Sequence, residues 1–259
     1  MFKNKMFTPA IPERVYALCK IVEKRPISSS EVKEKMEPGY LEQKSSYYND
    51  YRNAAEELHL ITVTDNVLSL GVDQSILKSM DTMRTYINGQ LHQYREGQFY
   101  KVTKAYYDMG KDILQGEQNV ANMASMMSLK TGISIDSTAM RAWRFWASYL
   151  GFGYLQEMFV IPNADVFLWD IIKISNFDKN KRYPVIGFLE KLRPYGDIII
   201  DYSNGSKTFS FGVSNGLRTL HDAGYIRMES IMDQEDTWNL YHIDELSANE
   251  EVTNITVLK

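Results

Sequence analysis

The chain has 259 residues, 44% of them hydrophobic and 24% charged, with a formal net charge of −4. That composition suits an ordinary globular protein with room for two or three small domains, and the absence of any run of 18 apolar residues excludes a membrane-spanning helix. Dedicated DNA-binding proteins are usually basic because phosphate neutralisation supplies much of their affinity, so DNA contact by this chain has to rely on local patches, and its acidity favours a protein-facing role. The first residues, Met1-Phe2-Lys3-Asn4-Lys5-Met6-Phe7, lack the apolar core of a secretory signal. Cys19 is the only cysteine, which rules out an intrachain disulfide and a cysteine zinc site and predicts a reducing, cytoplasmic setting.

In chain order, Ile11-Pro12 opens a first helix, with proline at an early position where its missing N–H costs nothing. Val15, Leu18, Ile21 and Val22 form its apolar face, and Pro26 ends it. Ser28, Ser29 and Ser30 offer N-caps for a short helix over 31–36 that Pro38-Gly39 terminates. A third helix is predicted over 45–58, with Tyr48, Tyr51, Ala55 and Leu58 on one face. The segments 60–64 and 67–70 then read as a hairpin, with Asp65-Asn66 as a turn that tolerates positive φ.

The middle reads as helices. A connector is predicted over 75–94 and a second helix over 96–114, with Phe99, Val102, Tyr106 and Met109 at helical spacing. A methionine-rich helix follows over 120–129. Asp136-Ser137 then caps a helix running to Leu150 that carries Ala139, Trp143 and Trp146. After the glycines at 151 and 153, residues 154–161 read as extended chain, stopped by Pro162-Asn163. This middle is either a helical connector or a third, degenerate copy of the units at the two ends.

The last unit starts near Ala164, with a helix over 166–174, a charged loop over 178–182, and a helix over 184–192 that again has an early proline. The segment Ile198-Ile199-Ile200 and a turn over 203–206 precede a helix over 211–223, with Val213, Leu217 and Leu220 on one face and Gly224 as its stop. Residues 225–231 and 237–243 are predicted to pair as strands around the acidic turn at 233–236. From Glu229 to Glu251 there are eight Asp or Glu and no Lys or Arg, which would repel phosphate. The tail from Asn249 onward adds a strand, docks on a partner or stays disordered.

Helices followed by a glycine stop and a two-stranded ribbon make this chain resemble the winged helix-turn-helix superfamily in multi-copy form. The expected fold is α+β and mainly helical: an N-terminal winged-helix domain over 1–73, a helical middle over 74–163, a C-terminal winged-helix domain over 164–246, and a tail over 247–259. Two groups of that superfamily come closest. One is the tandem winged-helix subunits of SMC-type chromosome and plasmid-defence complexes, which are similar in being acidic, dimeric and built to bind a kleisin. The other is the winged-helix accessory proteins of bacterial anti-phage islands, including the Dpd deazaguanine system. The run Trp-Arg-Phe-Trp-Ala-Ser-Tyr-Leu-Gly-Phe-Gly at 143–153, followed by Phe-Val-Ile-Pro-Asn at 159–163, is similar to the latter. Neither group supplies a site motif that aligns here, so no functional residue carries over.

The superfamily places its last helix against nucleic acid or a protein partner. In the first domain that helix offers Lys44, Ser45, Ser46, Tyr47, Asn49 and Arg52, diluted by Asp50, Glu56 and Glu57. In the last domain the candidates are Lys207, Ser210, Ser214, Asn215 and Arg218. Gly216, inside that helix, costs about 1 kcal/mol against alanine, which a close backbone approach to a ligand or a neighbouring helix would explain. The densest basic loop holds Lys179, Lys181 and Arg182 and suits phosphate without sequence preference, although such charge runs are usually solvated loops. Arg141 and Arg144 beside Trp143 and Trp146 fit a core helix with arginine stems packed over it better than a nucleic-acid face. Met123, Met126 and Met127 fit a helical core better than an adaptable interface.

Signs of catalysis are weak. The four histidines, His59, His92, His221 and His242, lack ligand spacing, the glycines at 151 and 153 lack the rest of a dinucleotide fingerprint, and there is no phosphate-loop lysine. The expectation is a non-enzymatic protein with no cofactor, no metal and no identifiable small-molecule substrate. Its partners are expected to be double-stranded DNA and other protein subunits, including a second copy as a homodimer, within a bacterial defence-type assembly. The alternative is a protein-docking scaffold with little direct DNA contact.

Overall fold

The computed structural model describes residues 2–3, 5–41, 46–115, 119–203, 205–234, 236–243 and 250–259. Over these the protein is α+β, with ten α-helices and four small antiparallel sheets. The first helix, α1 (Pro12–Val22), buries Val15, Leu18, Cys19 and Val22. A two-residue strand, β1 (Ile27–Ser28), precedes α2 (Ser29–Met36), whose N-terminus is capped by the Ser28 hydroxyl accepting from the Glu31 N–H. The next helix, α3 (Tyr48–Glu57), turns Tyr48, Tyr51, Ala54 and Ala55 inward. Its expected start at Ser45 lies outside the described residues. The hairpin β2 (Ile61–Thr64) and β3 (Val67–Leu70) turns at Asp65 and Asn66, which have φ of 49° and 62° as a type I′ turn demands. β1 joins its far edge, Ile27 opposite Leu68, so the sheet order is β1-β3-β2.

The predicted single connector over 75–94 is instead broken. A 3-10 turn (Gln74–Leu77), α4 (Met80–Gln90) and a second 3-10 turn (Leu91–Tyr94) replace it. The break lies at Ser79 and Thr82, whose side chains satisfy each other's backbone N–H groups and start a new helix there. Likewise α5 (Gln98–Asp108) stops short of the predicted 114, because Gly110 takes a left-handed φ of 57°. Next come α6 (Val120–Thr131) and α7 (Ser137–Tyr149), with Asp136 capping α7 through the Ala139 N–H. The extended run over 154–161 is a hairpin, β4 (Gly153–Gln156) and β5 (Phe159–Pro162), turning at Glu157 with φ of 52°.

The last unit contains α8 (Asp165–Ile174), a short strand β6 (Arg182–Pro184), α9 (Val185–Gly196), α10 (Phe211–Asp222) and β7 (Ile226–Glu229). The expected partner of β7, residues 237–243, does not pair with it. Instead β8 (Trp238–Asn239) pairs with β9 (Glu251–Val252), and β7 pairs with β10 (Asn254–Val257). The tail therefore forms the central strand of a sheet ordered β6-β10-β7. Ile255 and Val257 decide this, because both are β-branched and both reach the core. The two ends of the chain thus share a similar plan of helix, edge strand, two helices and two further strands of the same sheet with the last in the middle, except that in the last unit β8 and β9 intervene and form a sheet of their own.

The units pack through aromatic and polar contacts. Trp143 and Trp146 are core residues, and Phe2 sits edge-on to Trp146 and against Phe99 and Tyr94. α4 crosses α8 around Asp170, which is fully buried. Its carboxylate accepts from Arg84 Nε (2.8 Å), Thr85 Oγ1 (2.7 Å) and Asn88 Nδ2 (3.0 Å), and Lys173 Nζ lies 2.8 Å away. Burial works against the Arg84 charge, but the bonds to Asp170 and Asp81 outweigh it and raise the guanidinium pKa. Removing the anion leaves the half-buried Arg84 guanidinium, Thr85 and the buried Asn88 without their shared acceptor, which is costly. Asp170→Ala is expected to lower unfolding free energy by roughly 3–5 kcal/mol, read from urea denaturation, and an unchanged midpoint would refute the clamp.

Candidate nucleic-acid interface

Three surfaces carry the residues singled out in the sequence, and they differ in exposure. On α3 the anchor is Glu37, just past the end of α2. Its carboxylate accepts from Ser46 Oγ (2.7 Å), the Tyr47 N–H (2.9 Å) and Tyr51 Oη (3.1 Å). An acid at a helix start satisfies orphan donors and opposes the positive end of the helix dipole. Burial and then Glu37 push the Tyr51 phenol pKa up, so it stays a donor. With its inner face fixed in this way, α3 turns Tyr47, Asn49, Asn53 and Glu56 to solvent. Arg52 is half-buried; its Nη2 donates to Asn53 Oδ1 at 2.9 Å, and its guanidinium lies 5.9 Å from the Tyr48 ring. Burial raises the Asp50 pKa beside it. Lys44 and Ser45 lie outside the described residues.

The second surface does not exist as expected. From 211 to 220 every residue of α10 is buried or half-buried. Ser214 is fully buried; its Oγ accepts from the Tyr241 N–H (2.7 Å) and donates to the Phe209 carbonyl (3.4 Å). Asn215 Nδ2 donates to the Pro162 carbonyl at 3.2 Å, and Arg218 Nη2 to the Tyr241 carbonyl at 2.8 Å. Burial lowers the Arg218 pKa, although Glu250 and Asp222 pull the other way. Ser210 is the N-cap of α10, and Lys207 Nζ lies 3.3 Å from Asp236. Gly216 explains the packing. A Cβ there would come within 2.7 Å of the Ala164 and Asp165 backbone, and one at Gly212 would come within 2.6 Å of Tyr107. Two glycines one turn apart let α10 lie directly on α8 and β5, so the close approach is to a neighbouring helix. Ser214, Asn215 and Arg218 are structural residues here, and none of them offers an open DNA face.

The third surface is the edge of the β6-β10-β7 sheet. Lys179 is exposed and has no partner among the described residues. Lys181 pairs with Asp178 at 3.0 Å and sits 5.3 Å from the Tyr183 ring. Arg182 grips Glu229 with Nε at 3.1 Å and Nη2 at 3.3 Å. Two residues missed in the sequence join them. Arg227 shares the register of Arg182 through Thr256, and Lys191 lies 5.2 Å from the Phe177 ring. Only the pairing through β10 places Arg182 and Arg227 on one face, so sequence spacing held no signal for this. On α7, Arg141 is exposed, while Arg144 Nη1 donates to the Glu157 carbonyl at 2.6 Å and braces the β4-β5 hairpin.

Among the described residues no group of three His, Cys, Asp or Glu could hold a metal ion, and no helix is long and apolar enough to cross a membrane. Comparison with protein-family models, curated proteins and solved structures finds no match.

Ser214→Ala leaves the Tyr241 N–H without its partner in a half-buried site, so a loss of about 1–3 kcal/mol in unfolding free energy is expected by urea titration. A neutral substitution would mean that α10 keeps an accessible face after all.

Proposed function

We propose that this chain is a multi-copy winged-helix protein that binds double-stranded DNA, with α3 of the first unit as the helix that enters the groove and no catalytic step of its own. The observation that carries this reading is the outward face of α3, held in place by Glu37 and lined by Tyr47, Asn49, Arg52 and Asn53 beside the β2-β3 hairpin. Asparagine and arginine are the side chains that read adenine and guanine edges in pairs of hydrogen bonds. The shared helix and strand order at the two ends supports the winged-helix assignment. Cations at the last unit's sheet edge suit backbone phosphates and carry no sequence information. Because Asp50, Glu56 and Asp65 lie near the α3 face, only a few phosphates are neutralised, and a slope of about −3 in log affinity against log salt follows from about three contacts.

Fluorescence anisotropy on a labelled duplex between about 50 and 200 mM salt tests this. Arg52→Glu is expected to weaken binding by at least about tenfold. Lys179→Glu with Lys181→Glu is expected to flatten the salt slope by about two. Absence of binding at the lowest salt overturns the proposal.

A second reading has its own observation. The long connection between β7 and β10 exposes Met232 and Ile231 beside Asp233 and Asp236. An apolar tip inside an acidic segment fits a basic protein partner better than phosphate, as expected of an adaptor subunit in a bacterial defence-type assembly. If that reading holds, Met232→Asp abolishes co-purification with the partner subunit and leaves duplex binding intact. Loss of duplex binding in that variant would instead place the tip on DNA.

A further inference from the structure

A cleft of about 670 Å³ lies between the start of the helical middle and the last unit, bounded by the segment leaving the first sheet (Ser75, Ile76, Lys78), by α4, by the end of α8, and by Tyr195 of α9. We propose that it is a binding site for a small amphipathic anion, an aromatic ring system bearing one carboxylate, sulfonate or phosphate. The proposal goes beyond the DNA reading and does not rest on it.

Three observations converge on this ligand class. The volume falls in the range of about 300–1,000 Å³ typical of small-molecule sites, which favour junctions between domains. The apolar wall is formed by Ile76, Ile174 and the rings of Tyr86 and Tyr195, and Gly89 widens it, since a Cβ there would stand only 3.3 Å from Ile174 Cδ1. Several polar groups at the wall are donors. Lys78 Nζ, Tyr86 Oη and Tyr195 Oη have no hydrogen-bond partner among the described residues, and Lys173 is 42% exposed although it also reaches Asp170. The one carboxylate at the cleft, Asp81, is already held by Arg84. A site with apolar sides, two ammonium groups and unfilled phenol donors is complementary to a ring that carries a negative charge. A neutral ring would leave the Lys78 ammonium without an anionic partner, and a cation would be repelled by it.

The probe is 8-anilinonaphthalene-1-sulfonate, an aromatic anion whose fluorescence rises in an apolar site, titrated into the full chain under native conditions. Saturable one-to-one binding is expected. Lys78→Glu, an exposed position where folding is not at risk, should weaken it by at least about tenfold, about 1.4 kcal/mol. Gly89→Leu, which fills the cleft, should abolish it. Lys130→Glu, on the exposed face of α6 outside the cleft, should leave it unchanged. The uncharged N-phenyl-1-naphthylamine should bind more weakly than the sulfonate and be insensitive to Lys78→Glu. Non-saturable fluorescence, equal effects of Lys78→Glu and Lys130→Glu, or full binding by the Gly89→Leu variant would each overturn the proposal.

Discussion

A single buried carboxylate organises this molecule. Asp170 is removed from water, where a lone charge would be prohibitive, and it is tolerated because two cations, a hydroxyl and an amide from α4 and α8 converge on it. These contacts set the crossing of α4 on α8, so the connector that leaves the first unit is rigidly joined to the first helix of the last one. The other end of α8 is fixed just as tightly, where Gly216 of α10 lies against the Ala164 and Asp165 backbone. Clamped at both ends, α8 holds the units as one body. The cleft between α4, α8 and α9 is a by-product of that clamp, because Lys173 and Thr85 line it while also bonding the buried carboxylate.

The clamp has a functional consequence that topology alone would not disclose. The first and last units follow a similar order of elements, yet their third helices meet opposite fates. α10 carries glycine at 212 and 216, loses its outward surface to α8 and β5, and spends Ser214, Asn215 and Arg218 on internal hydrogen bonds. α3 has alanine at 54 and 55 on its buried side and polar residues on the other, and nothing of comparable bulk covers it. A similar order of elements thus does not give the two third helices the same surface, and the outer face of each decides what it could dock.

Much of this was legible from residue spacing. The helices at 12–22, 137–149 and 211–222 follow their apolar periodicity, and the caps at Ser28 and Asp136 sit where short polar side chains precede a helix. Strands β1 and β6 were not legible, because two or three residues cannot display an alternation. The pairing of β7 with β10 was hidden for a different reason. Residues 237–243 carry Trp238 and Leu240, which look like strand positions, but Trp238 stacks on Phe209 at 4.8 Å and so is drawn to the start of α10. Long-range pairing is set by such competition for core space, and local propensity does not record it. Of the candidate site residues, Ser46, Tyr47 and Asn49 at the start of α3 are exposed and Arg52 is half-buried. Those on α10 lost it to two glycines whose role becomes visible only once the neighbouring backbone is in place.

Charge then sets the terms on which the open face can work. Many of the cations among the described residues are already engaged. Lys5 meets Asp136, Lys35 meets Glu31, Arg95 meets Asp197, and Arg182 is shared with Glu229. These surface pairs contribute little stability, but each one offsets the charge its cation would present to a phosphate. With a net charge of −4, long-range steering toward a polyanion is weak, so the proposed association with DNA would depend on contact geometry more than on attraction at a distance. That places the burden on the few neutral donors and acceptors of α3. Asn49 and Asn53 stand one turn apart on its exposed side, and Arg52 is already oriented by Asn53. If α3 docks as proposed, a surface built in this way would discriminate through hydrogen bonds to base edges and gain little from bulk electrostatics, the opposite balance to that of a basic, non-selective binder.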